Sequence, residues 1–166
     1  MKSSEIKEAL SASEGLEEIG LADTEELKSR FFVFSVGDLL FALPPEAVHE
    51  IIAGLEVYPL PSCPPYIPGL VNCHGQPYTA FDLRVLFENE RQPAAMFLVL
   101  KLEQDNVAIG CTEVNEIVDL PASSVSTFAA ADADGRFCLA MFDHGGQRVL
   151  VLSIPQLLAQ LEQDLG

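Results

Sequence analysis

Basic residues are scarce in this chain: 9 lysines and arginines stand against 25 aspartates and glutamates in 166 residues, a formal charge of −16. Phosphate recognition needs a clustered Lys/Arg face, and only five basic residues follow Arg30. That shortage excludes nucleic acid as a partner and disfavours an anionic membrane surface. Long apolar runs are also missing. The longest, Ala94 to Leu100, has seven residues, against the ~20 that a spanning helix requires. Acids occupy the N-terminus where a secretory signal would have its apolar stretch, so the expected location is the cytoplasm. No C-x-x-C pair occurs among Cys63, Cys73, Cys111 and Cys138. In a reducing compartment they read as buried small hydrophobes rather than disulfides. Together with His49, His74 and His144 they show no metal-ligand spacing. P-loop, nucleophile elbow, G-x-G-x-x-G, H-E-x-x-H and calcium-loop motifs are all absent. The expectation is a protein without catalytic activity, cofactor or metal.

The chain does have the means to fold. A hydrophobic share of 49% with 20% charged residues excludes a disordered protein, and 18.0 kDa fits one domain of ordinary size. Residues 1–30 form an acidic leader, flexible or helical, with capping-box patterns at Ser11-x-x-Glu14 and Asp23-x-x-Glu26. From Phe31 the texture becomes that of strands: FFVFSV, a turn at Gly37-Asp38, then LLFAL, closed by Pro44-Pro45. Ala47 to Ile52 reads either as helical spacing of Val48, Ile51 and Ile52 or as a turn into a strand, with Ile51 as a core residue. Tyr66 to Phe87 organises the first half. Leu70-Val71 and Tyr78–Phe81 flank a tight Asn72-Cys-His-Gly75 corner in which Gly75 takes positive φ cheaply, and Asp82 is the N-cap of a short helix.

After the polar linker Glu88 to Pro93 the pattern restarts. VGDLLFALPPEAVHEI (Val36 to Ile51) matches LEQDNVAIGCTEVNEI (Leu102 to Ile117) without gaps at a shift of 66, placing Val48 over Val114 and Glu50 over Glu116. GQPYTAFDLRVLF (Gly75 to Phe87) matches GQRVLVLSIPQLL (Gly146 to Leu158) at a shift of 71, the difference falling in the loop Ala129 to Gly135. The order implies an internal duplication. A unit of about 65 residues is marginal alone, so the two halves should share an apolar interface. Short strands with frequent turns point to a mainly β fold of two similar small barrels, in a single domain at 31–160 with a first barrel at about 31–92 and a second at about 93–160. The groove between the barrels is the expected recognition surface.

Cys73 next to His74 raises the question of catalysis, yet neighbours on a strand point to opposite faces, and a thiolate needs its base within hydrogen-bond reach. A small enzyme using Cys73 or a carboxylate pair, or a Cys/His metal-binding regulator, with a site in that groove, is the alternative reading.

The block Phe31 to Arg84 resembles the CheW family, adaptor proteins of bacterial chemosensory arrays. The likeness lies in the FxVFxxGD opening (Phe31 to Asp38), the V-x-E-I element (Val48, Glu50, Ile51), the loop YPLPSCPPYIPGLVN (Tyr58 to Asn72) and the G-x(6)-D-L-R close (Gly75, Asp82, Leu83, Arg84). VAIGCTEVNEIVDLP (Val107 to Pro121) and GGQRVLVLSIPQLL (Gly145 to Leu158) continue it through the second half. The resemblance implies two pseudo-repeated five-stranded β-barrel subdomains with short helices, and a scaffold in two-component chemotaxis signalling. It implies binding to the regulatory domain of a CheA-type histidine kinase and to the cytoplasmic tip of a methyl-accepting chemoreceptor, peripheral to the membrane arrays. The receptor-binding positions it implies are Val48, Glu50, Gly69, Asn72, His74 and Gly75, in an apolar groove that takes a helix face. The kinase contact it implies is expected on an exposed face around Val57 and Tyr58. The chain departs from the family at His74, where an N-L-R-G corner has arginine and with it a fixed fork of donors. It also has Pro77 where the family's strand proline falls at Thr79, and a longer leader.

Overall fold

The chain, as a computed structural model, is described over residues 28–128 and 136–165. The leader reading falls, up to residue 27, outside the described residues, and so does the loop at 129–135. The elements in order are β1 (Lys28–Val36), β2 (Leu39–Leu43), β3 (Val48–Ala53), β4 (Val57–Tyr58), β5 (Gly69–Cys73), β6 (Gln76–Phe81) and helix α1 (Leu83–Glu88). After α1 come β7 (Met96–Leu100), β8 (Val107–Cys111), β9 (Glu113–Pro121), β10 (Ser126–Thr127), β11 (Cys138–His144), β12 (Gln147–Leu152) and helix α2 (Ile154–Leu165).

The strands make two six-stranded sheets, ordered β10-β11-β12-β2-β1-β9 and β4-β5-β6-β8-β7-β3. Position by position these are the same order six elements apart, which is the duplication seen as topology. The opening hairpin of each repeat is exchanged: β1–β2 joins the strands of the second repeat, where β2 runs parallel to β12 and β1 antiparallel to β9. Reciprocally, β7–β8 joins the first repeat, with β8 parallel to β6 and β7 antiparallel to β3. The division into barrels at 31–92 and 93–160 therefore does not describe the sheets. Each subdomain holds six strands where five were expected, the extra one being a two-residue edge, β4 or β10. Neither order closes by backbone pairing; β3 and β4 bound one sheet, β9 and β10 the other.

Exchange of the hairpins explains the packing. Alternate residues of the central strands face opposite sides. Phe32, Phe34 and Val36 of β1, with Phe41 and Leu43 of β2, enter a core shared between the sheets, where Leu98, Leu100, Ile109 and Leu152 meet them. Phe31, Val33 and Ala42, on the other face, fill the hollow of their own sheet with Phe142, Val149 and Val151. Phe97, Val99 and Ala108 do the same in the other sheet, against Val71, Cys73 and Ala80. The space between the sheets is thus a packed core rather than an open groove.

Three local readings resolve. Residues 48–53 form a strand, because Pro44 and Pro45 limit the helical turn to Pro45–Ala47 and the β-branched Val48, Ile51 and Ile52 suit an extended chain. A bulge between Val48 and Glu50 then sets Val48, Glu50 and Ile52 half-buried and His49, Ile51 and Ala53 outward. Ile51 is consequently 43% exposed rather than a core residue. Asp82 does cap α1, accepting from Arg84 N at 3.1 Å, and its second oxygen accepts from Gln92 N at 3.0 Å. Arg84 ion-pairs with Asp38, Glu88 and Glu90. The D-L-R close is therefore a structural clamp.

Candidate recognition surface

The corner at Asn72 to Gly75 is a two-residue turn between β5 and β6, whose register ends on Cys73 opposite Gln76. His74 (φ 53°) and Gly75 (φ 85°) both take positive φ, the combination that tight hairpins require; histidine is among the few side chains enriched there. Asn72 Oδ1 accepts from Gly75 N at 2.8 Å and fixes the turn. Cys73 points inward and is buried. Burial, and secondarily the Glu50 carboxylate, raise its thiol above the ordinary range. A protonated thiol facing away from His74 is a poor nucleophile.

The turn throws His74 outward across the open side of the sheet. Its Nε2 lies 3.0 Å from Glu50 Oε2 and 3.1 Å from Oε1, and His49 Nε2 flanks the same carboxylate at 3.8 Å. The second repeat makes the same closure. His144, at the end of β11 before the Gly145-Gly146 turn, contacts Glu116 of β9. Glu116 stands at the repeat position of Glu50, while the imidazole comes from the position of Cys73, one residue before its counterpart His74. Sequence reasoning aligned the two glutamates and missed this second pair; the signal was a histidine within one residue of the aligned turn.

The expected site residues separate into two groups. Glu50, Asn72, His74 and Gly75 converge at one tip. Tyr58, 53% exposed on the edge strand β4, lines with Leu70, Val71, Asn72, Gly75 and Pro77 a shallow groove of ≈ 250 Å³. The other three are structural in position. Val48 is half-buried against the shared core, as is Val114 at its repeat position. Val57, expected to be exposed, packs into the hollow of its own sheet. Gly69 is buried at φ 151°, and a Cβ there would stand 2.3 Å from the Tyr58 carbonyl oxygen. It faces the backbone of β4, not an open groove.

A cleft beside α2 lies elsewhere, against the sheet that β8 shares with β6. It has a volume of ≈ 410 Å³ and runs between α2 and the start of β8, lined by Thr79, Asp105, Asn106, Val107, Pro155, Leu158, Ala159, Leu161, Glu162 and Leu165. The far side of α2 is fixed by Tyr66, whose hydroxyl donates to Asp164 Oδ2 at 2.5 Å. Burial and that carboxylate push the Tyr66 phenol far above its ordinary range. Among the described residues no three His, Cys, Asp or Glu side chains are grouped as metal ligands, and no helix is long and apolar enough to cross a membrane.

Comparison with known proteins adds three findings. The family model for the CheW-like domain matches residues 30–162. The crystal structure of the scaffolding protein TtCheW from Thermoanaerobacter tengcongensis superposes with a TM-score of 0.67 at 17% identity, covering 77% of this chain and 90% of that one; at that identity the likeness is one of fold. No curated protein matches the sequence.

Proposed function

The chain belongs to the CheW-like domain family, and from that premise we propose that it is a non-catalytic cytoplasmic adaptor coupling the tip of a methyl-accepting chemoreceptor to a CheA-type histidine kinase. The observation that carries the reading is the tip where Glu50 and His74 pair beside the groove under Tyr58. A receptor helix presents an apolar stripe with polar edges. Leu70 and Pro77 offer it an apolar floor, and Glu50, Asn72 and His74 a polar edge. The kinase contact falls at Tyr58 on the short edge strand, where an exposed aromatic ring supplies a large contact area at small entropic cost. The two partners would then sit side by side on one sheet, the arrangement a coupling element needs.

The rival readings, a small enzyme or a metal-binding regulator, are disfavoured by the inward, raised thiol of Cys73 and by the dense packing between the sheets. Co-purification with the cognate kinase regulatory domain and a receptor signalling fragment tests the proposal. The adaptor reading expects both in one complex; the absence of binding to either at micromolar concentrations rejects it.

A further inference from the structure

Helix α2 buries Leu157 in the shared core but carries a second apolar stripe, Leu158, Leu161 and Leu165, at spacings of three and four. These are the spacings at which side chains stack along one helix face. Leu158 and Leu161 are only half covered, and Leu165 is 62% exposed. Opposite them Val107 completes an apolar trough. Its rim holds Asp105 on one wall and Glu162 on the other, neither of them paired with a base among the described residues. Arg136 is engaged outside the cleft lining, donating to Gln160 of this helix at 2.9 Å.

We propose that this cleft is a docking site for an amphipathic helix with a cationic flank, contributed by a third partner protein distinct from the receptor and the kinase regulatory domain. Charge selects that occupant over the other two available. The chain's own residues 1–27 hold eight acids and two bases, so they would bring carboxylates to a rim that already has two. A second copy docked face to face would oppose Asp105 and Glu162 to themselves. Only a basic helix gains from both the stripe and the rim: leucine-type side chains enter between α2 and β8, and lysine or arginine heads reach the two carboxylates. The cleft holds none of the residues of the Glu50–His74 tip, but Asn106 on its wall donates to the Pro77 carbonyl of the neighbouring groove, so competition with the receptor fragment is part of the test.

The test uses the full chain and synthetic helices of about 18 residues, long enough for five turns. One carries a leucine stripe flanked by lysines, the second the same stripe flanked by glutamates, and the third is a scramble of the lysine peptide without the stripe. Binding is followed by fluorescence anisotropy, and its site by methyl NMR of Leu158, Leu161, Leu165 and Val107. The lysine peptide should bind at micromolar concentration and shift those methyls. Binding should weaken about tenfold, roughly the effect of 1.4 kcal/mol, in the double variant Asp105→Lys, Glu162→Lys, and should weaken likewise in Leu165→Ser, whose side chain is 62% exposed, whereas Leu161 packs in part against the shared core and is left unchanged. Several results would each overturn the proposal. They are equal binding of the scramble; shifts confined to other methyls; tighter binding of a peptide copying residues 1–27, or a dimer in sedimentation velocity that Leu165→Ser dissolves; and displacement of the lysine peptide by the receptor fragment, which would make the cleft part of the receptor site. Failure of the peptides to bind, with receptor and kinase still co-purifying, rejects this inference and leaves the adaptor reading standing.

Discussion

Glu50 and His74 lie 3.0 Å apart although β3 is one edge of the strand order and the β5–β6 hairpin sits near the other. The sheet must therefore curl until its far sides meet, and a side-chain pair, not a ladder of backbone bonds, spans the gap. His144 and Glu116 repeat the device in the second sheet. On the proposed adaptor reading, the pair in the first sheet would both close the sheet and face the receptor.

His74→Arg should raise affinity for a receptor fragment severalfold, because a guanidinium offers donors to Glu50 and to a partner at once. Stability should change little. The pair is exposed, and a double-mutant cycle of Glu50→Gln with His74→Ala should give a coupling of at most about 1 kcal/mol. Isothermal titration calorimetry and urea denaturation measure the two effects. An unchanged receptor affinity would make the histidine a neutral replacement.

Gly69→Ala should destabilise the fold rather than act on a partner alone. The added carbon meets the Tyr58 carbonyl oxygen at 2.3 Å in a conformation that side chains rarely adopt. Forcing a methyl into such a contact costs about 1–3 kcal/mol. The urea midpoint should fall accordingly, with loss of receptor binding as a consequence. A midpoint equal to the wild type would contradict the close approach of β4 and β5.

Phe34→Ala should cost about 3–5 kcal/mol, since the ring is fully buried 5.9 Å from that of Phe41 in the core both sheets share. Hydrogen exchange should accelerate in both sheets together, because β1 belongs by sequence to one repeat and by pairing to the other. Acceleration confined to the sheet of β1 would mean that the subdomains unfold separately.

Tyr66→Phe should lower stability above the ordinary aspartate range and lose its effect in acid. Hydrogen bonds from Gln160 and then Tyr66 hold the Asp164 carboxyl below its usual value of 3.8. A depressed carboxyl contributes stability that is present above the unfolded value and is lost as pH falls through the folded one. The gap between wild-type and variant urea midpoints should therefore be widest near pH 6 and shrink as pH is lowered from about 4 toward 2. A gap independent of pH would show that the phenol acts by packing alone.

Much of this architecture was legible in the residues. The hairpin turns at Gly37-Asp38 and His74-Gly75, the Asp82 cap and the two-repeat order all rest on local chemistry that tertiary structure does not override. The hairpin exchange was not legible, because the alternation in FFVFSV and MFLVL satisfies a two-faced strand whichever sheet receives it. Ile51 and Val57 were misplaced for a related reason: helical spacing would put Ile51 on the face of Val48, whereas strand alternation puts it on the opposite one, and a two-residue edge strand has too short a pattern to reveal its facing. Gly69 looked like a gap for a ligand, whereas the gap is occupied by the carbonyl of Tyr58, a contact made by a residue eleven positions earlier in the chain.

The measurement that bears most directly on the adaptor reading is size-exclusion chromatography of the chain with the cognate kinase regulatory domain and a receptor signalling fragment, alone and together. The account predicts a binary complex with each and a three-component complex with both, the receptor contact being altered by His74→Arg and the kinase contact weakened by Tyr58→Ala. Elution of the chain as a free species in every mixture at micromolar concentrations would contradict it.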